Sequence, residues 1–169
     1  RTPVEEHLTE AALYASSQGE ADVHFTVSSE HRELFEELLE RVVPEYEQEY
    51  KVTYHVSLSE QLPSTDTVAA NEDGTPFRTA EGELLFRPGG HGALIRNLDA
   101  LDTDVVFIKN IDNVVPDSLK ADTVLWKQVL AGVLVSVQEQ TFRYLHLLES
   151  GNYSHADLEE MIRFVRHTL

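Results

Sequence analysis

Apolar positions along the first sixty residues alternate between helical and strand spacing. Thr2-Pro3-Val4-Glu5 offers a capping hydroxyl, a proline for the first helical position and a glutamate that closes a capping box. A helix is expected from there to about Ser17, with Gly19 as its stop. Val23-His24-Phe25-Thr26-Val27 is β-rich and predicts a strand. Ser29 stands where it can cap a second helix, with Leu34, Leu38 and Val42 on one stripe and an end near Pro44. Val52 to Val56 predicts a second strand. Helix, strand, helix, strand is the order of a parallel sheet with crossover helices.

The rhythm then breaks. Asp66 to Ala70 runs into the turn signal Asn71-Glu72-Asp73-Gly74, and Glu81-Gly82 is a second one before Leu84-Leu85-Phe86. A small hairpin-like excursion is expected here. Gly89 to Gly92 opens a helix to about Leu101. Asp104 to Ile108 is nearly continuous in apolar character, which predicts a third strand buried on both faces. The three strands are expected as neighbours in one mostly parallel sheet. Beyond Pro116 the pattern is helical: Asp122 can cap a long helix carrying Leu125, Val129, Val133 and Val137, reaching Leu148 and stopped by Gly151. Ser154 to Asp157 is a capping-box pattern for a last helix with Leu158, Ile162 and Val165. No repeat and no linker interrupts residues 1–169, so they read as one α/β domain.

Bulk properties narrow the partners. A formal net charge of -17 argues against a nucleic-acid backbone or an anionic membrane. It does not oppose a small anion held by backbone N–H groups and one or two basic residues. Without cysteine there is no disulfide, zinc–thiolate site or thiol nucleophile. No apolar run reaches the roughly 18 residues of a membrane span, and no secretion signal opens the chain, so a cytoplasmic place is expected. The first residue is Arg1, which fits a piece of a longer protein. The eight histidines show no metal-ligand spacing, and neither a Gly-x-Ser-x-Gly elbow nor a Walker loop is present.

Two segments carry candidate chemistry. Arg87-Pro88-Gly89-Gly90-His91-Gly92 is a glycine-rich turn before a helical pattern, where backbone can approach a ligand and free N–H groups can meet an anion. His91 can bond a base or phosphate, or simply face solvent. Asn110-Ile111-Asp112-Asn113 ends an apolar segment and places a carboxylate and two amides at a sheet's carboxyl edge, where open α/β folds bind ligands. Asp112 can take magnesium, a hard cation that prefers oxygen. Equally, the three side chains can satisfy backbone groups of a turn. Gln61, after the second strand, has an amide able to read a base edge or to face water.

Gly90-His91-Gly92 followed some twenty residues later by Asn110-Ile111-Asp112-Asn113 resembles the UDP-sugar pyrophosphorylases. A closer likeness is to a bacterial family of unestablished activity related to them. It shares Arg1 to Leu8, Phe86 to Ile95 and Ile108 to Asp117. The resemblance implies a three-layer nucleotidyltransferase fold of the Rossmann-like type. It also implies a uridine nucleotide against Gly90, His91 and Gly92, a base contact from Gln61, and magnesium on Asp112. The implied reaction is transfer of a nucleotidyl group to a sugar phosphate, using a nucleoside triphosphate or nucleotide-sugar. The alternative is a non-catalytic nucleotide-binding member. The chain departs at Ala93, where those enzymes usually carry Asp, and at Val114-Val115, where they carry Leu-Gly. It also lacks their opening glycine-rich loop, so no catalytic residue is assigned and this piece alone is expected to be inactive.

Overall fold

In the computed structural model, which describes residues 1–168, both halves of the first capping box are made. Thr2 Oγ1 accepts from the Glu5 amide, and the Thr2 amide donates to Glu5 Oε2 at 2.6 Å. Helix α1 (Pro3–Tyr14) follows. It ends short of Ser17, because Ser16–Ser17 (β1) turns back onto β2 (Glu20–Val27). Gln18 and Gly19 both have positive φ, 53° and 84°. That is the two-residue hairpin turn whose twist matches its strands. Gly19 therefore makes a hairpin and does not stop the helix.

Strand β2 runs parallel to β3 (Thr53–Glu60), from Glu20 opposite Thr53 to Val27 opposite Glu60. The crossover is α2 (Arg32–Tyr50). Its start and end both differ from expectation. Ser29 begins one turn of 3-10 helix, Ser29–His31, and no side chain caps α2. Pro44 lies inside α2, with its ring exposed. The helix continues past it because Tyr46, two residues further on, is buried in the core. Lys51, in the left-handed region, ends it.

Val4, Leu8 and Ala11 of α1, Ala21, Phe25 and Val27 of β2, Leu39, Val42 and Tyr46 of α2, and Tyr54 of β3 form the core. Tyr54 donates its hydroxyl to the Leu8 carbonyl at 2.9 Å, which satisfies the one polar atom that it buries. Both helices cover the same face of the sheet. Strand alternation places Asp22, His24, Thr26, His55, Ser57 and Ser59 on the other face.

The excursion after β3 is present. Thr67–Val68 (β4) pairs antiparallel with Phe86–Arg87 (β5), and bridges at Ala70–Pro76 and Arg78–Leu84 fold the intervening chain back on itself. The third expected strand is not there: residues 104–110 pair with no strand. Nor are they buried on both faces, since Val106 and Ile108 are exposed. An apolar run becomes a strand only beside a strand edge. This one is held by side chains along α1 instead.

The chain divides into two compact units, Arg1–Val114 and Val115–Leu169. In the second, α4 (Asp117–Ser150) starts behind Pro116, one turn and more before Asp122. Proline's fixed φ suits a helix entrance, and Asp117 in the first turn favours the positive helix end. Gly151 ends α4 as expected. Ser154 and Asp157 bond reciprocally and open α5 (His155–Thr168). Tyr144 of α4 donates to Glu160 Oε1 at 2.6 Å and meets the Phe164 ring edge-on at 5.3 Å. Large apolar side chains on the first half of α4 are exposed, among them Leu125, Leu130, Val133 and Trp126, the last at 63%. No described helix is long and apolar enough to cross a membrane.

Candidate functional site

The structure brings Gln61 and the glycine turn together. Gln61 directly follows the carboxyl end of β3 and donates through Nε2 to Asp66 Oδ1 at 3.0 Å. A Cβ on Gly89 would stand 2.8 Å from Ala93 Cβ, 3.0 Å from the Thr65 carbonyl oxygen and 3.6 Å from Gln61 Nε2. Packing alone thus requires glycine at Gly89. It does not at Gly90 or Gly92, where an added Cβ would meet nothing within 4 Å and φ is not positive. The helix after the turn is short: one 3-10 turn, His91–Leu94, and then α3 (Ile95–Asp99), ending just before Leu101. Such a short element offers individual N–H groups more than a strong macrodipole. His91 is exposed, as are Arg87 and Arg96, which bracket the turn in sequence.

The second segment lies along α1. The Phe107 ring meets Tyr14 edge-on at 5.0 Å, Lys109 pairs with Glu10, and the His7 Nε2 donates to the Ile111 carbonyl at 3.1 Å. The Asn113 amide donates to the Asn110 carbonyl at 3.0 Å and closes a turn. His7 also meets Phe25 edge-on at 6.2 Å, in the carboxyl half of β2. The Asn110–Asn113 turn therefore sits toward the end to which β2 runs. The glycine turn sits toward the end to which β3 runs, and the two strands are parallel. Asn110, Asp112 and Asn113 are exposed.

The side chains that hold this turn were not singled out by pattern. Burial pulls the His7 imidazole below its ordinary pKa, which favours the neutral ring. Glu10, 1% exposed, takes the Lys109 ammonium and the Tyr14 hydroxyl, the latter at 2.7 Å. Burial and the Glu10 carboxylate together push the Tyr14 phenol well up. A signal for this group exists in sequence: His7, Glu10 and Tyr14 recur at helical spacing on one side of α1.

As a metal site the donor set is sparse. Among the described residues no group of three or more His, Cys, Asp and Glu is placed to hold an ion. Asp112 offers one carboxylate beside the amides of Asn110 and Asn113. Magnesium, which prefers oxygen ligands and usually keeps waters, would find one carboxylate in this turn, that of Asp112.

Residues 1–169 match the family described as Domain of unknown function (DUF4301), and the chain belongs to that family. No curated protein and no solved structure matches it.

Proposed function

We propose that this DUF4301 chain binds a nucleotide and is the central part of a nucleotidyltransferase-like protein. The observation that carries the reading is the pair Gly90 and Gly92. Neither backbone angle nor neighbouring atoms ask for glycine there, and the space over them is open. Glycines with no internal reason leave main-chain N–H groups bare for close approach by a ligand. In this reading the backbone of Gly90 to Gly92 and His91 line the nucleotide. Gln61, beside Gly89, reads the base, and Asn110 and Asn113 flank the phosphates. Asp112 would hold magnesium, which neutralises phosphate charge when bound. The ligand is a nucleoside triphosphate or nucleotide-sugar. The whole protein would transfer the nucleotidyl group to a sugar phosphate and release pyrophosphate. The parallel pair β2–β3 would then belong to a larger three-layer, mostly parallel sheet. Binding without turnover is the second reading, and the lone exposed carboxylate at Asp112 favours it.

Calorimetric titration with uridine triphosphate and a UDP-sugar, with and without magnesium, tests the proposal. Magnesium-dependent binding is expected, and Asp112→Asn should weaken it strongly while leaving the apo melting temperature nearly unchanged. A stability loss of about 1–3 kcal/mol without change in affinity would make Asp112 a turn residue only. No binding of either nucleotide overturns the reading.

A further inference from the structure

On the sheet face opposite α1 and α2, His24 of β2, Ser57 and Ser59 of β3 and Asn97 of α3 form one hydrogen-bond chain. His24 Nδ1 lies 2.7 Å from Ser57 Oγ, and Nε2 lies 2.8 Å from Ser59 Oγ. Asn97 Nδ2 donates to both Ser59 Oγ and the Glu60 carbonyl, each at 2.8 Å. The carbonyl fixes the orientation of the amide, because only its nitrogen can face an acceptor. Ser59 Oγ therefore accepts from Asn97, and its own proton goes to His24 Nε2. Thr26 Oγ1 is the other neighbour, farther away at 3.4 Å. The His24 proton then resides on Nδ1 and is donated to Ser57.

Asn97 is 8% exposed, and its Oδ1 is buried with no hydrogen-bond partner. The unpaired Oδ1 costs free energy, which the two bonds from Nδ2 to Ser59 Oγ and the Glu60 carbonyl offset. What the amide supplies is orientation. It ties α3, the helix that follows Gly89 to Gly92, to the last two residues of β3. The next residue in the chain is Gln61. The Asn97 side chain thus adds a second tie between the glycine turn and Gln61, beside the packing of Gly89 against Thr65 and Gln61.

We infer that Asn97 is a positioning residue: through Ser59 and the Glu60 carbonyl it holds the glycine turn in register with Gln61, with His24 bonded to the far side of Ser59. The functional half of this inference rests on the nucleotide reading; the structural half does not.

Segment-resolved amide hydrogen exchange on the full chain tests it, comparing wild type with Ser59→Ala, Asn97→Leu and Ser59→Thr. Exchange across Gly90 to Asp99 should quicken about tenfold in the first two variants. The β2 and β3 amides should keep their rates, and Ser59→Thr, which retains the hydroxyl, should restore wild-type exchange. Ser59→Ala carries the test alone if Asn97→Leu does not fold. Uridine triphosphate affinity, by calorimetry, should weaken in Ser59→Ala and return in Ser59→Thr. Unchanged exchange over Gly90 to Asp99, or equal loosening of β2 and β3, overturns the inference. So does wild-type affinity in Ser59→Ala. If the wild-type chain binds no nucleotide, the nucleotide reading falls, and the exchange pattern alone decides whether Asn97 positions the turn.

Discussion

A methyl group on Gly89 would collide with the Thr65 carbonyl and Ala93, whereas one on Gly90 or Gly92 would point into open space. The three positions should therefore answer substitution differently. Gly89→Ala is expected to cost about 1–3 kcal/mol through overpacking. Gly90→Ala and Gly92→Ala should be neutral or stabilising by about 0.4–1 kcal/mol, because they restrict the unfolded chain, yet should weaken nucleotide binding. Urea denaturation beside calorimetric titration separates the effects, and full affinity in both latter variants would remove the glycine turn from the site. The glycine-rich turn was legible in sequence; the separate reason for Gly89 was not, because Thr65 and Ala93 approach it only in three dimensions.

His7 and His24 supply a pH dependence of their own. Burial lowers both from the ordinary 6.5. The unfolded chain then binds protons first, so stability should fall as pH drops below about 6.5 and level off beneath the folded pKa values. His7→Gln keeps a donor for the Ile111 carbonyl and removes one titration. It should flatten the fall in urea midpoint between about pH 7.5 and 5. An undiminished fall in that variant would exclude His7 as a source.

At the scale of elements, two features oppose simple pattern rules. Pro44 sits in α2 although proline removes one helical hydrogen bond and crowds the preceding turn. Because its ring faces solvent, Pro44→Ala should raise stability by about 1–3 kcal/mol, read by thermal melting. A lower melting temperature would show that α2 needs a bend there. The second feature is the apolar segment before Asn110. Its hydrophobicity was legible, but pairing is a property of a neighbour, and hydrophobicity does not name one. What pins the segment is the Lys109–Glu10 pair, whose side chains are 11% and 1% exposed. Lys109→Met should cost about 3–5 kcal/mol, since it takes the cation from a buried carboxylate, while Lys109→Met combined with Glu10→Leu should recover much of that loss. Equal instability of the single and double variants would mean that Glu10 finds compensation elsewhere.

For the whole molecule, every candidate site residue from Gln61 to Asn113 lies in the unit Arg1–Val114. The boundary was invisible in the sequence, because Val114-Val115 carries no glycine, serine or charge cluster to mark it. The helical hairpin of the second unit was legible almost entirely, since its stop at Gly151 and its cap at Ser154 are local signals. Trp126, on the first half of α4, is the chain's single tryptophan. The first unit holds Tyr14, Tyr46, Tyr50 and Tyr54 and no indole. Indole emission thus belongs to the second unit alone, without any label. Light absorbed only by the indole reports on the second unit, and Trp126 now stands mostly in water. A blue shift of that emission would announce that something has covered α4.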